Sequence, residues 1–174
     1  LQKLGSGSAR VVYKVDDEKV LKIAKNKKGV AQNSVEAEGW LQNYGIVAKI
    51  FESDNDDFWI EMEWAKKITP KRFKEITGVD IKKLWSYLFY DKSNYTQKMG
   101  LTQEEIDYMN ENEFVGDLMS FIHDRGMVYP GDFGRISTYG EVMREGSPSI
   151  VLIDFGLSSS VYYDYYDKRQ KARF

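Results

Sequence analysis

Short apolar segments separated by turn residues occupy the first third of the chain. Such segments are typical of β-strands. Strands are short, their side chains alternate between two faces, and turn residues separate one strand from the next. The cluster Asp54-Asn55-Asp56-Asp57 indicates a hairpin turn between the last two of these segments. The predicted strands lie at residues 11–15, 20–24, 46–51 and 58–64, and a helix is predicted near residues 29–44.

From residue 66 to residue 128 the apolar positions repeat at helical spacing. Thr69 followed by Pro70 is typical of a helix start, because threonine caps the helix and proline fits its first turn. Asp80 is expected to cap a second helix, and Thr102 with Glu105 forms the capping-box pattern of a third. A fourth helix is predicted from the apolar stripe at residues 114–122, and a late strand at residues 150–153.

A strand-rich part with one helix, followed by a helical part with a late hairpin, predicts an α+β fold in two lobes. We expect one domain over residues 1–174, with an N-terminal lobe at about 1–65 and a reduced C-terminal lobe at about 66–174. Its 42% hydrophobic and 14% aromatic residues are typical of a globular chain and argue against a disordered one.

Composition also narrows the expected partners and compartment. The chain has no cysteine, which excludes structural disulfides and thiolate metal sites and fits the reducing cytoplasm, the expected location. A net charge of −2 argues against nucleic acid as a partner. No apolar run approaches the roughly 20 residues of a membrane span, so no membrane association is expected. The first residue is Leu1, so whether the natural chain begins further upstream stays open.

A glycine-rich segment near the start is the first candidate for binding chemistry. Without a Cβ atom, glycine lets backbone N–H groups approach phosphate oxygens closely. A simple Gly-Ser turn explains the same string equally well. The segment is Gly5-Ser6-Gly7-Ser8, and Val12 follows it.

Lys22 lies among apolar neighbours at an inward position of a predicted strand. A cation is costly there unless an anion meets it. Glu36 and Glu38 lie on the next helical stretch, and either can supply that anion. We expect Glu36, with Glu38 as the alternative. Exposure of all three side chains to water is the other interpretation.

Two aspartates are candidates for the reacting centre. Asp154 directly follows the apolar strand at residues 151–153, where an Asp is a common metal ligand. Asp132 lies in Pro130-Gly131-Asp132-Phe133-Gly134. An Asp before a glycine is also a frequent turn residue. The apolar residues before Asp154 favour a functional role for it.

Taken in order, these segments resemble the signature motifs of the protein kinases. Val20-Leu21-Lys22 resembles the third strand with its lysine, and Asp154-Phe155-Gly156 is the Asp-Phe-Gly motif. Met62-Glu63-Trp64-Ala65 resembles the hinge that binds adenine, with Met62 as gatekeeper. The segment at residues 121–128 resembles the helix before the catalytic loop, so the only histidine, His123, is expected to pack there. The resemblance covers about residues 1–157.

The resemblance implies an ATP-dependent phosphotransferase, with a serine/threonine protein kinase as the expected type. ATP and Mg²⁺ are the implied cofactors, with Mn²⁺ as an alternative cation, and a protein is the implied substrate. Asp132, Lys22 and Arg135 are the implied catalytic residues, and Asp154 and Ser137 the implied metal ligands. The implied nucleotide-binding residues are Gly5, Ser6, Gly7, Ser8, Val12, Lys22, Glu36, Met62, Glu63 and Ala65.

The chain departs from the kinase pattern in several places. Arg10 replaces the third glycine of the loop, and Ser137 replaces the asparagine that ligates a second metal. The segment before Asp132, Tyr129-Pro130-Gly131, is one residue longer than the kinase triplet. Few residues follow Gly156, so no activation segment or late helices are expected. This compact plan resembles effector kinases of pathogenic bacteria and small kinase-like phage proteins.

These departures leave two other functions open. One is a pseudokinase, which binds nucleotide or a protein partner without catalysis. The other is a small-molecule kinase, because Gly131-Asp132 is similar to the loop of that class. Without an activation segment, the chain is expected to be constitutively active or activated by a protein partner. An injected effector or a phage protein would act in the host cytoplasm.

Overall fold

The computed structural model describes residues 1–93, 100–126 and 130–167. It is a mixed α+β structure, as the sequence predicts. Contacts divide the chain into two compact units, one with residues 1–65 and 153–174 and one with residues 66–152. The sequence pattern assigned everything after residue 65 to the second part, whereas these contacts assign the chain from Ile153 onward to the first.

The first unit contains an antiparallel sheet of five strands in the order β1-β2-β3-β5-β4. Strand β1 is absent from the prediction because it is mostly exposed and lacks apolar alternation. The last two strands form the hairpin that Asp54 to Asp57 predicts. The strands are β1 (Gln2–Ser6), β2 (Arg10–Lys14), β3 (Lys19–Ala24), β4 (Ile50–Ser53) and β5 (Trp59–Glu63).

Helix α1 (Lys27–Glu36) contacts strands β3 and β5 of this sheet. The Asn26 side chain caps it by accepting a hydrogen bond from the Gly29 N–H. The helix was predicted to reach Tyr44, but it ends at Glu36, and a separate 3₁₀ turn follows at Gly39–Asn43. Ala37 caps the end of α1, and the backbone of Glu38 is no longer helical (ψ 116°).

The second unit contains four helices among its described residues, and the predicted caps are present. Thr69 accepts a hydrogen bond from the Arg72 N–H, and Thr102 and Glu105 form a complete capping box. These side chains satisfy N–H groups that have no partner inside the helix. The helices are α2 (Pro70–Thr77), α3 (Ile81–Ser93), α4 (Gln103–Glu111) and α5 (Glu113–Asp124).

His123 does not pack in the core, so this prediction was wrong. Its side chain is 90% exposed and its Nδ1 lies 3.4 Å from Asp124 Oδ1. The buried stripe of α5 consists of Val115, Leu118, Phe121 and Ile122, and His123 falls on the opposite, polar face.

A three-stranded sheet completes the second unit, with β6 (Lys66–Lys67), β7 (Tyr139–Arg144) and β8 (Ser147–Leu152) in that order. Strands β7 and β8 form the late hairpin through Glu145 and Gly146, which both have positive φ (50° and 80°). Two positive φ angles define the turn type that matches the twist of paired strands. The buried side chains of this unit include Phe73, Leu118, Phe121, Phe133 and Tyr139.

The chain returns to the first unit after β8. Helix α6 (Ser159–Tyr162) and a wider helical turn at Tyr163–Asp167 contain four of the chain's twelve tyrosines, and α6 contacts α1. Ser158 caps α6 by accepting a hydrogen bond from the Val161 N–H. Among the described residues, no helix combines the length and apolarity that a membrane crossing requires.

Candidate functional site

Lys22 and Glu36 form a buried ion pair in the first unit. Lys22 lies on β3 and is 5% exposed, and Glu36 at the end of α1 is fully buried. Lys22 Nζ lies 2.7 Å from Glu36 Oε2 and donates a second hydrogen bond, of 2.6 Å, to the Ile153 carbonyl. Glu38, the alternative partner, is exposed and accepts a 2.7 Å hydrogen bond from Trp40 Nε1.

Arg10 joins this pair, which the sequence did not predict. It lies on β2, is 7% exposed, and donates to both oxygens of Glu36 at 2.8 and 2.9 Å. It also donates to Asn33 Oδ1 at 3.2 Å and to Asp154 Oδ1 at 2.8 Å. The two-residue repeat of a strand could have indicated this position. Arg10 and Val12 lie on one face of β2, and Val12 is paired with Lys22.

The Asp-Phe-Gly segment is bound to the same carboxylate through its backbone. The N–H groups of Phe155 and Gly156 donate to Glu36 Oε1 at 3.1 and 3.0 Å. Gly156 lies so close to α1 that a Cβ atom there would be 2.7 Å from the Gln32 carbonyl oxygen. The segment therefore approaches the helix more closely than a residue with a side chain would allow.

The resulting charged cluster consists of Arg10, Lys22, Glu36 and Asp154, whose two positive and two negative charges balance. Burial by itself raises the pKa of Glu36, but the charges and hydrogen bonds of Arg10 and Lys22 outweigh it and lower that pKa to about 2. Burial lowers the pKa of Lys22, with Arg10 acting in the same direction against Glu36. Burial also opposes the charge of Arg10, but Glu36 and Asp154 raise its pKa above the usual value. Glu36 is thus held as a carboxylate chiefly by Arg10.

The glycine segment consists of the end of β1 and the start of the turn that leads to β2. Its residues from Gly5 to Ser8 are exposed, and the Gly7 N–H donates to the Arg10 carbonyl at 2.9 Å. Two lysines contact this segment: Lys25, directly after β3, donates to the Gly7 carbonyl, and Lys28, in the first turn of α1, donates to Ser8 Oγ, both at 2.8 Å. Gly5 pairs with Val12 across the two strands.

The hinge-like segment lies at the end of β5. Met62 is 1% exposed and is paired with Val20 of β3. The Glu63 N–H donates to the Lys49 carbonyl at 2.8 Å, and the Trp64 N–H to the Glu18 carbonyl at 2.7 Å. Within the described part of the chain, the Ala65 N–H donates to no other group, so it can bind a ligand.

The second unit contains the remaining candidates. Asp132 lies in the 3₁₀ turn Pro130–Gly134, and its carbonyl accepts hydrogen bonds from Thr138 Oγ1 (2.7 Å) and the Arg135 N–H (3.2 Å). Arg135 Nη1 lies 3.5 Å from Asp132 Oδ1, and Ser137 is exposed on the next turn. Thr138 is buried, and no local pattern in the sequence indicates its role. Tyr129, just before this segment, lies outside the described residues.

The described side chains do not form an all-protein metal cage. No three His, Cys, Asp or Glu side chains of residues 1–93, 100–126 and 130–167 cluster closely enough to hold an ion. The Asp154 side chain is 64% exposed, and its Oδ2 has no hydrogen-bond partner in the described part of the chain. A single accessible carboxylate suits Mg²⁺, which usually keeps several waters and binds substrate phosphates.

No protein-family model matches the chain, and a search of the curated proteins finds no match either. Its function is therefore inferred from the side chains themselves.

Proposed function

We propose that this chain binds a magnesium complex of ATP through its first unit and transfers the γ-phosphoryl group to a hydroxyl, with serine or threonine of a protein as the expected acceptor. The observation that supports it most is the buried pair of Lys22 and Glu36, to whose carboxylate the backbone N–H groups of Phe155 and Gly156 also donate. Protein kinases use a strand lysine paired with a helix glutamate and an Asp-Phe-Gly aspartate for this chemistry. The proposal includes the two-lobed kinase-like fold that the sequence predicts.

Lys22 is the proposed ligand of the α- and β-phosphates. An ammonium group has three N–H donors, and two of them bind Glu36 and the Ile153 carbonyl. Since Lys22 has no further partner in the described part of the chain, its third donor can bind a phosphate oxygen. Glu36 fixes the direction of that donor. The exposed segment from Gly5 to Ser8 is the proposed further contact of the phosphates.

Asp154 and Ala65 complete the proposed nucleotide site of the first unit. The free oxygen of Asp154 would hold Mg²⁺, which neutralises the charge that develops on the phosphates during transfer. The unpaired N–H of Ala65 would bind the adenine edge, with Met62 behind it.

The second unit supplies the proposed transfer residues. Asp132 accepts the proton of the attacking hydroxyl, and Thr138 holds the backbone of Asp132 in place. Arg135 is a guanidinium beside that carboxylate and is suited to phosphate oxygens. Ser137 is the proposed weak ligand of a second cation. The substrate protein, an activating partner and a cytoplasmic location belong to this proposal.

The test is transfer of labelled γ-phosphate with Mg²⁺ and with Mn²⁺, offered to a generic acceptor protein and to the chain itself. Asp132→Asn should abolish transfer and leave nucleotide binding intact, and Asp154→Asn should abolish transfer. Asp117→Asn, a change at an exposed position of α5, is the matched control and should behave as wild type. Transfer that survives in Asp132→Asn would disprove the role of that residue, and absent ATP binding in the wild type would disprove the whole proposal.

The bond between Arg10 and Asp154 favours a second candidate function, that of a pseudokinase. A guanidinium already occupies Oδ1 of the proposed metal ligand. A pseudokinase would bind ATP in the wild type, yet transfer no phosphate in the presence of either cation. Transfer that depends on Asp132 would exclude it.

A further inference from the structure

Arg10 occupies the position of the third loop glycine, and its side chain points inward rather than to water. It contacts two sequence-distant carboxylates, Glu36 at the end of α1 and Asp154 after β8. Asn33, one helical turn before Glu36, adds a third acceptor. A glycine at this position would leave Glu36 with Lys22 as its only cation among these contacts.

We propose that Arg10 is a positioning residue that holds Glu36 and Asp154 in the geometry needed for nucleotide and metal binding, before any ligand arrives. This inference rests on the proposed function, and it deepens it by naming how the site is assembled. In protein kinases the lysine–glutamate pair and the aspartate must both be in place for activity, and helix position controls this. Here one buried side chain connects the two groups directly.

The use of its N–H groups shows why Arg10 positions other residues rather than binding phosphate. A guanidinium has two N–H groups on each terminal nitrogen. Those of Nη1 bind Asn33 and Glu36, and those of Nη2 bind Glu36 and Asp154. A phosphate contact from either nitrogen would break one of these bonds. Lys22 retains one free donor for that purpose, so the two cations have different tasks.

Glu36 in turn is fully occupied. Its Oε2 accepts from Arg10 and Lys22, and its Oε1 accepts from Arg10 and from the N–H groups of Phe155 and Gly156. Asp154 receives Arg10 on Oδ1, so Oδ2 is the oxygen that faces a cation. Arg10 is therefore the outer partner of a metal ligand, and loss of such a partner typically costs about 10–100-fold in metal affinity or activity.

The first test measures binding of Mn²⁺ together with a non-hydrolysable ATP analogue, by the paramagnetic signal of free Mn²⁺. Arg10→Met should weaken binding by about 10–100-fold. Arg10→Lys should recover part of it, because one ammonium cannot make all four bonds. Arg72→Met removes a comparable two-point contact, between Arg72 and Glu141 in the second unit, and should bind as wild type. Equal Mn²⁺ binding by Arg10→Met would overturn the proposal. Tighter binding would also overturn it, because it would show that Arg10 competes with the cation for Asp154.

A second measurement needs neither nucleotide nor a fully stable Arg10→Met variant. Amide hydrogen exchange of Phe155 and Gly156 should speed up in Arg10→Lys on the order of tenfold, the factor for one hydrogen bond of ordinary strength. Amides of the β7–β8 hairpin should exchange at the wild-type rate. Unchanged exchange at Phe155 and Gly156 would overturn the positioning role. Failure of the wild type to bind the nucleotide would instead refute the proposed function and leave the exchange result decisive for Arg10.

Discussion

At the residue scale, the carboxylate of Glu36 connects several segments of the first unit through its hydrogen bonds. It is fully buried and accepts hydrogen bonds from Arg10, Lys22 and two backbone N–H groups. A buried carboxylate is stable only where donors and cations compensate the loss of water, and here each oxygen of Glu36 accepts at least two hydrogen bonds. Removing the charge should therefore affect folding as well as ligand binding.

Glu36→Gln should destabilise the protein by about 3–5 kcal/mol, because Arg10 and Lys22 lose their shared anion while staying buried. Urea-induced unfolding measures the change. Glu38→Gln, two residues away and exposed, is the matched control and should change the free energy of unfolding by less than about 0.5 kcal/mol. Similar effects of both substitutions would show that the cluster contributes nothing special to stability.

The depressed pKa of Glu36 predicts a loss of stability in acid. Its folded pKa is about 2 and its ordinary value is 4.5, so between these pH values the unfolded chain binds more protons. The stabilisation, on the order of 3 kcal/mol, is present above pH 4.5 and is lost as the pH falls towards 2. The charged groups that face Glu36 are Arg10 from β2 and Lys22 from β3.

Urea unfolding at several pH values between 2 and 6 tests this prediction. Glu36→Gln should lack this part of the acid dependence, while Glu38→Gln should retain it. An identical acid profile for wild type and Glu36→Gln would contradict the assignment.

At the residue scale the sequence predicted the ion pair of Lys22 and Glu36, but it did not predict that Arg10 joins this pair. A lysine inside an apolar strand requires an anion, and the next helical stretch offers Glu36, the expected partner, and Glu38, the alternative. The role of Arg10 was missed, because a charged residue after a glycine turn is usually exposed and no local rule turns it inward. Its position on the same strand face as Val12 shows its direction only once the register is known.

At the scale of elements, the close contact between Gly156 and α1 determines how the Asp-Phe-Gly segment meets Glu36. Gly156→Ala would place a Cβ atom 2.7 Å from the Gln32 carbonyl oxygen, so helix and segment must separate. We expect a loss of about 1–3 kcal/mol in the free energy of unfolding. The weakened backbone bonds to Glu36 should also reduce nucleotide binding.

Gly116→Ala in α5 is the matched control for that substitution. No atom lies within 4 Å of the added Cβ, and alanine favours a helix, so a gain of about 0.5–1 kcal/mol is expected. Thermal unfolding of both variants measures the difference. Equal stability changes in the two variants would show that the contact at Gly156 is easily relieved.

Elements with strong local signals were predicted best. The caps at Thr69 and Thr102 and the hairpin around Asp54 to Asp57 are present, because each depends on neighbouring residues alone. Strand β1 was missed, since its exposed residues show no alternation and its pairing with β2 stabilises it. The end of α1 was misplaced because apolar residues continue into the following 3₁₀ turn.

At the scale of the whole molecule, the proposed roles are divided between the two units. Lys22 and Asp154 belong to the first, and Asp132 to the second. Binding and transfer should therefore respond to different substitutions. A non-hydrolysable ATP analogue with Mg²⁺ at about 100 times its Kd should stabilise the wild type by about 2.7 kcal/mol, a rise in Tm of roughly 5–10 °C.

Lys22→Met and Asp154→Asn should lose this rise in Tm, and Asp132→Asn should retain it. Thermal unfolding with and without the analogue provides the measurement. Loss of the rise in Asp132→Asn as well would indicate that this residue contributes to binding or to the fold rather than to transfer alone.

The division into units also limits what a linear pattern can predict. The change from strand-type to helical spacing of apolar residues locates the boundary after residue 65. A contact such as that between Glu36 and Gly156, however, joins residues far apart in sequence. No local pattern in the sequence therefore predicts that the chain returns to the first unit.

That return has a consequence for the order of folding. Residues 66–152 form a contiguous unit, whereas the first unit needs both residues 1–65 and the chain from Ile153 onward. During synthesis the second unit can close as soon as it has emerged from the ribosome. The hydrogen bonds from Phe155 and Gly156 to Glu36, and the bond from Arg10 to Asp154, form only after these later residues have been synthesised. The charged cluster is then completed last, because a nascent chain halted before Ile153 lacks Asp154 and the N–H groups of Phe155 and Gly156.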